Sequence, residues 1–307
     1  MSVSRSWKPR RPWLLPWLGL IGAMIFANIV PQMWSPSGNA LAQDEAGVPV
    51  AVYFLRDGYV APATRVERPV EGSIFDAAVN ALLEGPQPDE IAFGLTTTIR
   101  AGTQLRGPVE LDRTTRTATV DFLRGFRSQD DTLQANRMAQ VVFTLTQFPA
   151  ISGVEFRVNG KPLTARDARG REIDGPATRD NYESLIPPLQ VEQPGIWASV
   201  RSPIQVSGTM PTEYNEIGFR LYARDDQVLM EGSTVFRRSR NPRRPFQFAI
   251  PYESEEAQRG TLVVFGVTED GAERDAIAIP LDLASTAPPP TPTPTPTDTP
   301  TPSPTPT

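Results

Sequence analysis

The chain has 307 residues, about two domains at the usual size. It contains neither cysteine nor histidine, which excludes disulfides, thiolate chemistry and every Ser-His or Cys-His arrangement, along with the commonest general base and metal ligand. Net charge is −5, but Arg5, Lys8, Arg10 and Arg11 precede the first acid, Asp44. Beyond them 26 basic residues face 35 acids, a net −9 that speaks against non-specific nucleic-acid binding.

Those four basic residues lead into an apolar run from Trp13 to Val30, followed by Ala40-Leu41-Ala42. A basic segment, an apolar segment and an A-x-A site make a secretory signal peptide over residues 1–42, cut before Gln43. The alternative is an uncleaved N-terminal membrane anchor, because the apolar run approaches the length that spans a bilayer. The A-x-A site favours cleavage. Either way the rest of the chain is expected to be extracytoplasmic, secreted or associated with the cell envelope, and without cysteine it cannot carry a lipoprotein anchor.

Residues 48–57 read as a strand, Val50, Val52 and Phe54 alternating with Ala51, Tyr53 and Leu55 before an Asp57-Gly58 turn; residues 64–69 are expected to pair with it. From Ser73 to Pro86 the pattern is helical. Ser73 and Asp76 have capping-box spacing, Ile74, Ala77, Ala78, Ala81 and Leu82 share a face, and Gly85 and Pro86 end the run. Residues 109–148 form the organising stretch. Val109, Leu111, Ala118, Val120 and Phe122 fall on one face of a hairpin whose turn Asp112 can bond. A helix follows, with capping spacing at Ser128 and Asp131, a stripe of Ala135, Met138, Ala139, Val142 and Leu145, and a stop at Phe148-Pro149. Val154, Phe156 and Val158 make one more strand, ending at Asn159-Gly160. The expected fold is a two-layer α+β domain over residues 48–183, a sheet with two helices packed on one side.

The residues Val50-Ala51-Val52-Tyr53-Phe54, Ala77-Ala78-Val79-Asn80-Ala81-Leu82-Leu83-Glu84-Gly85-Pro86, Thr119-Val120-Asp121-Phe122 and Val154-Glu155-Phe156-Arg157-Val158-Asn159-Gly160 resemble, in that order, the GerM (GerMN) domain of bacterial sporulation and germination proteins. The closing segment to Asn181-Tyr182 is similar as well. The resemblance implies a non-enzymatic, extracytoplasmic domain that mediates protein assembly at the envelope.

Residues 184–188 form a Pro-ended connector. Beyond it, short apolar runs recur over 189–192, 204–208, 217–223, 228–236, 246–250, 262–268 and 276–283, the spacing of a seven-stranded, all-β immunoglobulin-like sandwich over 189–283. Pro203-Ile204-Gln205-Val206-Ser207-Gly208-Thr209 and Phe246-Gln247-Phe248-Ala249-Ile250-Pro251-Tyr252 resemble the immunoglobulin-like domain of bacterial spore-germination proteins, a frequent companion of GerM domains. Residues 284–307 are expected to be a disordered Pro/Thr-rich tail, a solvated spacer with O-glycosylation an open option.

Arg237, Arg238, Arg240, Arg243 and Arg244 crowd one loop and are a candidate polyanion-binding patch, set against a solvated hairpin tip. Asp130-Asp131 and Asp225-Asp226 lack the alternating spacing of a calcium loop and suit caps and turns. Glu110, Asp112 and Asp121 could form a glycosidase acid pair only in a cleft, and an exposed strand face offers none. No catalytic residue, metal or cofactor is expected. The function read from the chain is a non-catalytic extracytoplasmic envelope protein that binds or assembles envelope proteins or anionic wall or membrane polymers, with no oligomeric state specified. The alternative is a carboxylate-dependent cell-wall glycan hydrolase.

Overall fold

The computed structural model describes residues 47–68, 72–237 and 242–287. The expected signal peptide and most of the Pro/Thr tail lie outside the described residues. Strands β1 (Val48–Arg56) and β2 (Tyr59–Glu67) pair antiparallel from Val48↔Glu67 to Arg56↔Tyr59. They turn through Asp57 and Gly58, both left-handed at φ 52° and 84°, which is the reason the turn is Asp-Gly. The second strand is longer than the expected pairing segment and starts directly after the turn.

Helix α1 (Ile74–Glu84) carries the expected capping box. The Asp76 amide donates to Ser73 Oγ at 3.2 Å and the Ser73 amide to Asp76 Oδ2 at 2.8 Å; Gly85, at φ 82°, ends the helix. A short helix α2 (Pro88–Ala92), opened by proline, was not foreseen. The hairpin of β3 (Glu110–Asp112) and β4 (Thr117–Phe122) has the register Leu111↔Ala118, and Asp112 Oδ1 accepts the Thr114 amide at 2.8 Å in its turn. Helix α3 (Asp131–Leu145) starts two residues later than the Ser128 spacing predicts, because Asp130 is the cap and accepts from the Leu133 amide at 2.9 Å. It returns the chain to β5 (Gly153–Val158), which lies parallel to β4, and β6 (Lys161–Leu163) completes the sheet β3-β4-β5-β6. Phe122, Phe126 and Phe156 stack in its core, with neighbouring centroids 3.9 and 5.9 Å apart.

The two-layer expectation needs correction. The hairpin β1-β2 and the four-stranded sheet are separate, and both contact α3, of which 11 of 15 residues are buried. The sequence shows one apolar stripe on this helix, but Arg137, Gln140 and Thr144 are buried too, each with a partner. Arg137 donates to the carbonyls of Thr98 and Phe126, Gln140 bonds Thr97 and Thr98, and Thr144 Oγ1 accepts the Tyr53 amide at 3.0 Å. Just past the helix, Gln147 accepts from the Ala51 amide and donates to its carbonyl, both at 2.7 Å. Side chains thus close the open edge of β1 where another strand would otherwise pair.

A 3-10 turn (Arg179–Leu185) leads to β7 (Gln190–Gln193), β8 (Ala198–Val200), β9 (Ile204–Pro211), β10 (Glu216–Ala223), β11 (Val228–Val235), β12 (Arg243–Ile250), β13 (Gln258–Val267) and β14 (Glu273–Leu283). All seven expected strands are present, and β8 is an addition. They form two sheets, β11-β10-β13-β14-β8 and β12-β9-β7, with β8 parallel to β14. Ile217, Leu221, Leu262, Val264 and Leu281 from one sheet and Val206, Met210, Phe246 and Ile250 from the other are buried. The chain stays attached beyond Leu283: the Ala284 amide donates to Val200 O at 2.9 Å and the Thr286 amide to Ser254 O at 2.8 Å.

The described residues from Gly47 onward belong to one compact unit. The Thr64 amide donates to Ile196 O at 2.9 Å and the Ile196 amide to Pro62 O at 3.1 Å, so the first hairpin is stitched to the β-rich half. Arg179 ion-pairs with Glu192 at 2.7 Å across the connector, and Phe93 meets Trp197 edge-on at 5.4 Å. Arg259 stacks on Trp197 at 4.5 Å and reaches Asp89 at 3.2 Å.

Candidate functional site

Of the arginine-rich segment, Arg243 and Arg244 are not free charges. Arg243 and Arg244 belong to β12, which begins three residues before the expected start at Phe246. Arg243 is half-buried and donates to Pro187 O at 2.6 Å and Thr209 Oγ1 at 2.7 Å, holding the connector against β9. Arg244 is 5% exposed and donates to the carbonyls of Tyr214 and Arg237. Burial lowers the pKa of both guanidinium groups, with Glu183 and Glu192 opposing it at Arg243. Arg237 is exposed, while Arg238 and Arg240 lie outside the described residues.

The carboxylates are also accounted for. The Thr114 amide and Thr115 hydroxyl hold the exposed Asp112 below its ordinary value. Asp121 takes Arg106 at 3.2 Å and the Gly160 amide at 3.1 Å, and Glu110 is exposed on β3. Asp130 caps α3, Asp131 pairs with Arg166 at 3.1 Å, and Asp225 accepts the Gln227 amide at 3.3 Å next to Asp226, left-handed at φ 64°. Among the described residues, no three acids gather closely enough to hold a metal ion.

A cleft of about 930 Å³ lies between α1 and the segment 101–108. Asp76, Asn80, Leu83 and Glu84 form its helical wall, one turn apart along α1. The opposite wall is extended backbone. The Arg106 amide donates to Asp121 O at 2.7 Å and the Leu123 amide to Gln104 O at 2.9 Å, so residues 104–106 prolong the β3 side of the sheet against β4. Asp76 ties the walls together, Oδ1 accepting the Val109 amide at 2.6 Å. Sequence reading passed over this site because none of its side chains has a chemical signature. Its signals were the polar i, i+4, i+8 row of α1 and the glycine-flanked stretch Gly102-Thr103-Gln104-Leu105-Arg106-Gly107-Pro108.

Residues 51–164 match the family Germane, described as "Sporulation and spore germination". Nothing among curated proteins matches the chain. Among solved structures, the chain is similar to the first GerMN domain of the sporulation protein GerM from Bacillus subtilis, with 25% identity, 43% of this chain and 98% of that one covered, and a TM-score of 0.35. The tandem GerMN domains of the same protein align at 20% identity over 67% of this chain and 62% of that one, TM-score 0.35. A putative lipoprotein from Clostridium perfringens aligns at 15% identity over 49% and 97%, TM-score 0.31. Residues 51–164 are thus a region similar to the Germane family.

Proposed function

We propose that the protein is a non-catalytic, extracytoplasmic module of the cell envelope that binds or assembles protein or cell-wall partners. The observation that carries this reading is the Germane match over residues 51–164, within a chain that opens with a basic and apolar leader. The chemistry agrees with it: the acids Asp112, Asp121, Asp130, Asp131 and Asp225 are each held in turns, caps or ion pairs. We read the two-sheet β-rich half as an immunoglobulin-like companion domain that braces the Germane domain. Arg237, with Arg238 and Arg240, is the part of the arginine-rich segment left for an anionic polymer or membrane surface, where each charge contributes on the order of 1 kcal/mol.

The test has two arms. On a renaturing gel containing peptidoglycan, the protein should leave no clearing; clearing that disappears in Asp121→Asn or Glu110→Gln would establish the glycan hydrolase instead. Cross-linking in intact cells should yield discrete adducts with envelope components, and their absence would contradict an assembly role.

A further inference from the structure

We propose that the cleft between α1 and residues 101–108 receives an extended, basic peptide segment of a partner protein, which adds as a strand to the open edge at Leu105. The proposal deepens the assembly reading and rests on it for the presence of a protein partner.

Register carries the proposal. Leu105 faces Phe122 across an antiparallel bridge whose hydrogen bonds are made by the flanking groups, Arg106 N–H and Gln104 C=O. In such a pair the N–H and C=O of Leu105 itself point to the opposite edge, away from β4. That edge faces α1, since the Val109 amide a few residues on is taken by Asp76 from the helix. At Val109 the fold supplies its own acceptor; at Leu105 the edge opens on the cleft. A helix set back from an exposed strand edge is the geometry of strand addition, in which main-chain hydrogen bonds give affinity and side-chain pockets give specificity.

Charge selects the occupant. Both Asp76 oxygens are engaged and Arg106 is paired with Asp121. Glu84 has a side chain 74% exposed, with Arg65 only at 3.6 Å. Leu83 and Leu105 supply half-buried apolar footing. The matching strand carries Lys or Arg opposite Glu84 and an apolar residue between Leu83 and Leu105. The chain's own Pro/Thr tail has no basic residue to meet Glu84.

The experiment selects a displayed random-peptide library on the full-length chain and measures the recovered peptides against variants. Gly107→Trp fills the cleft, and the fold should tolerate it because a Cβ at Gly107 meets no atom within 4 Å. Glu84→Lys reverses the selecting charge. Recovered peptides should be basic, bind each variant at least about tenfold more weakly, and slow hydrogen exchange at the Leu105 amide. Failure to recover any peptide, equal binding to Gly107→Trp, or unchanged Leu105 exchange would overturn the proposal. Those results leave the assembly reading to its own cellular cross-linking arm, so the two failures are distinguishable.

Discussion

Arg65 shows how much of this fold rests on single buried charges. It is 7% exposed, meets Glu90 (2% exposed) at 2.7 Å, and donates to the carbonyls of Ala81 at 2.9 Å and Gly85 at 2.7 Å where α1 ends. Arg65→Ala strands a buried carboxylate and two helix-end carbonyls, and should destabilise the protein by about 3–5 kcal/mol in urea titrations. Glu90→Gln, which keeps hydrogen-bonding capacity, should cost less; an equal cost would show that the ion pair is not the origin. Tyrosines set the alkaline limit. Burial pushes Tyr53 up to about 12 from 10.0, with Arg179 pulling the other way, and burial raises Tyr182 and Tyr214 as well. A folded-state value above the unfolded one gives stability that is complete below pH 10 and is lost as pH rises toward 12. We expect Tyr53→Phe to flatten that alkaline decline in unfolding curves; an unchanged slope would remove Tyr53 from the account. At this scale the sequence was partly legible. Asp76, Ser73 and Asp112 declared their capping and turn roles, because those bonds are made within three residues. The fate of Arg243 and Arg244 was not legible, because their partners Pro187, Thr209 and Tyr214 lie at least 30 residues away in sequence.

Among the elements, α3 departs furthest from its expectation. Its apolar stripe, Ala135, Met138, Ala139, Val142 and Leu145, is fully buried as read, but so are Gln140 and Thr144, each 0% exposed. Periodicity cannot tell a solvated polar face from a buried one whose partners arrive from Thr97, Thr98 and Tyr53. For the same reason the separation of the two sheets was invisible: it depends on Gln147 standing in for a strand beside Ala51. We expect Gln147→Leu to cost about 1–3 kcal/mol, leaving the Ala51 amide and carbonyl unmet. Hydrogen exchange at Ala51 should rise in this variant; unaltered protection would mean that water or another group takes over. The short elements α2, β6 and β8 also escaped the sequence reading, at five, three and three residues too brief to show a period. Pro245 inside β12 hid that strand's start. A proline is tolerated there because β12 is the edge of its sheet.

At the scale of the molecule, the sequence changes near 184–188 from mixed helical and strand periods to strand periods alone, whereas the seam that joins the described residues on either side into one compact unit is not legible. It is made by loops and side chains: Ile196 against Thr64, Trp197 between Phe93 and Arg259. Gly195 lies in that seam, and a Cβ there would fall 2.6 Å from Thr64 Oγ1 and 3.1 Å from the Thr64 amide nitrogen. The protein should unfold in one cooperative calorimetric transition, and Gly195→Val should split it into two. Two transitions in the unaltered protein would show that the seam does not couple the halves. On the reading proposed above, that seam bears on function, since the Germane region it braces offers its α1 cleft to a partner.

The most direct test of that claim is site-specific photo-cross-linking in cells of the source organism, with the photoreactive residue at Asn80, exposed on the cleft wall. A control is placed at Glu231, exposed on β11. The account predicts a discrete protein adduct from Asn80 that is absent from Glu231 and abolished by Gly107→Trp. No adduct from Asn80, or one that survives Gly107→Trp, would contradict it.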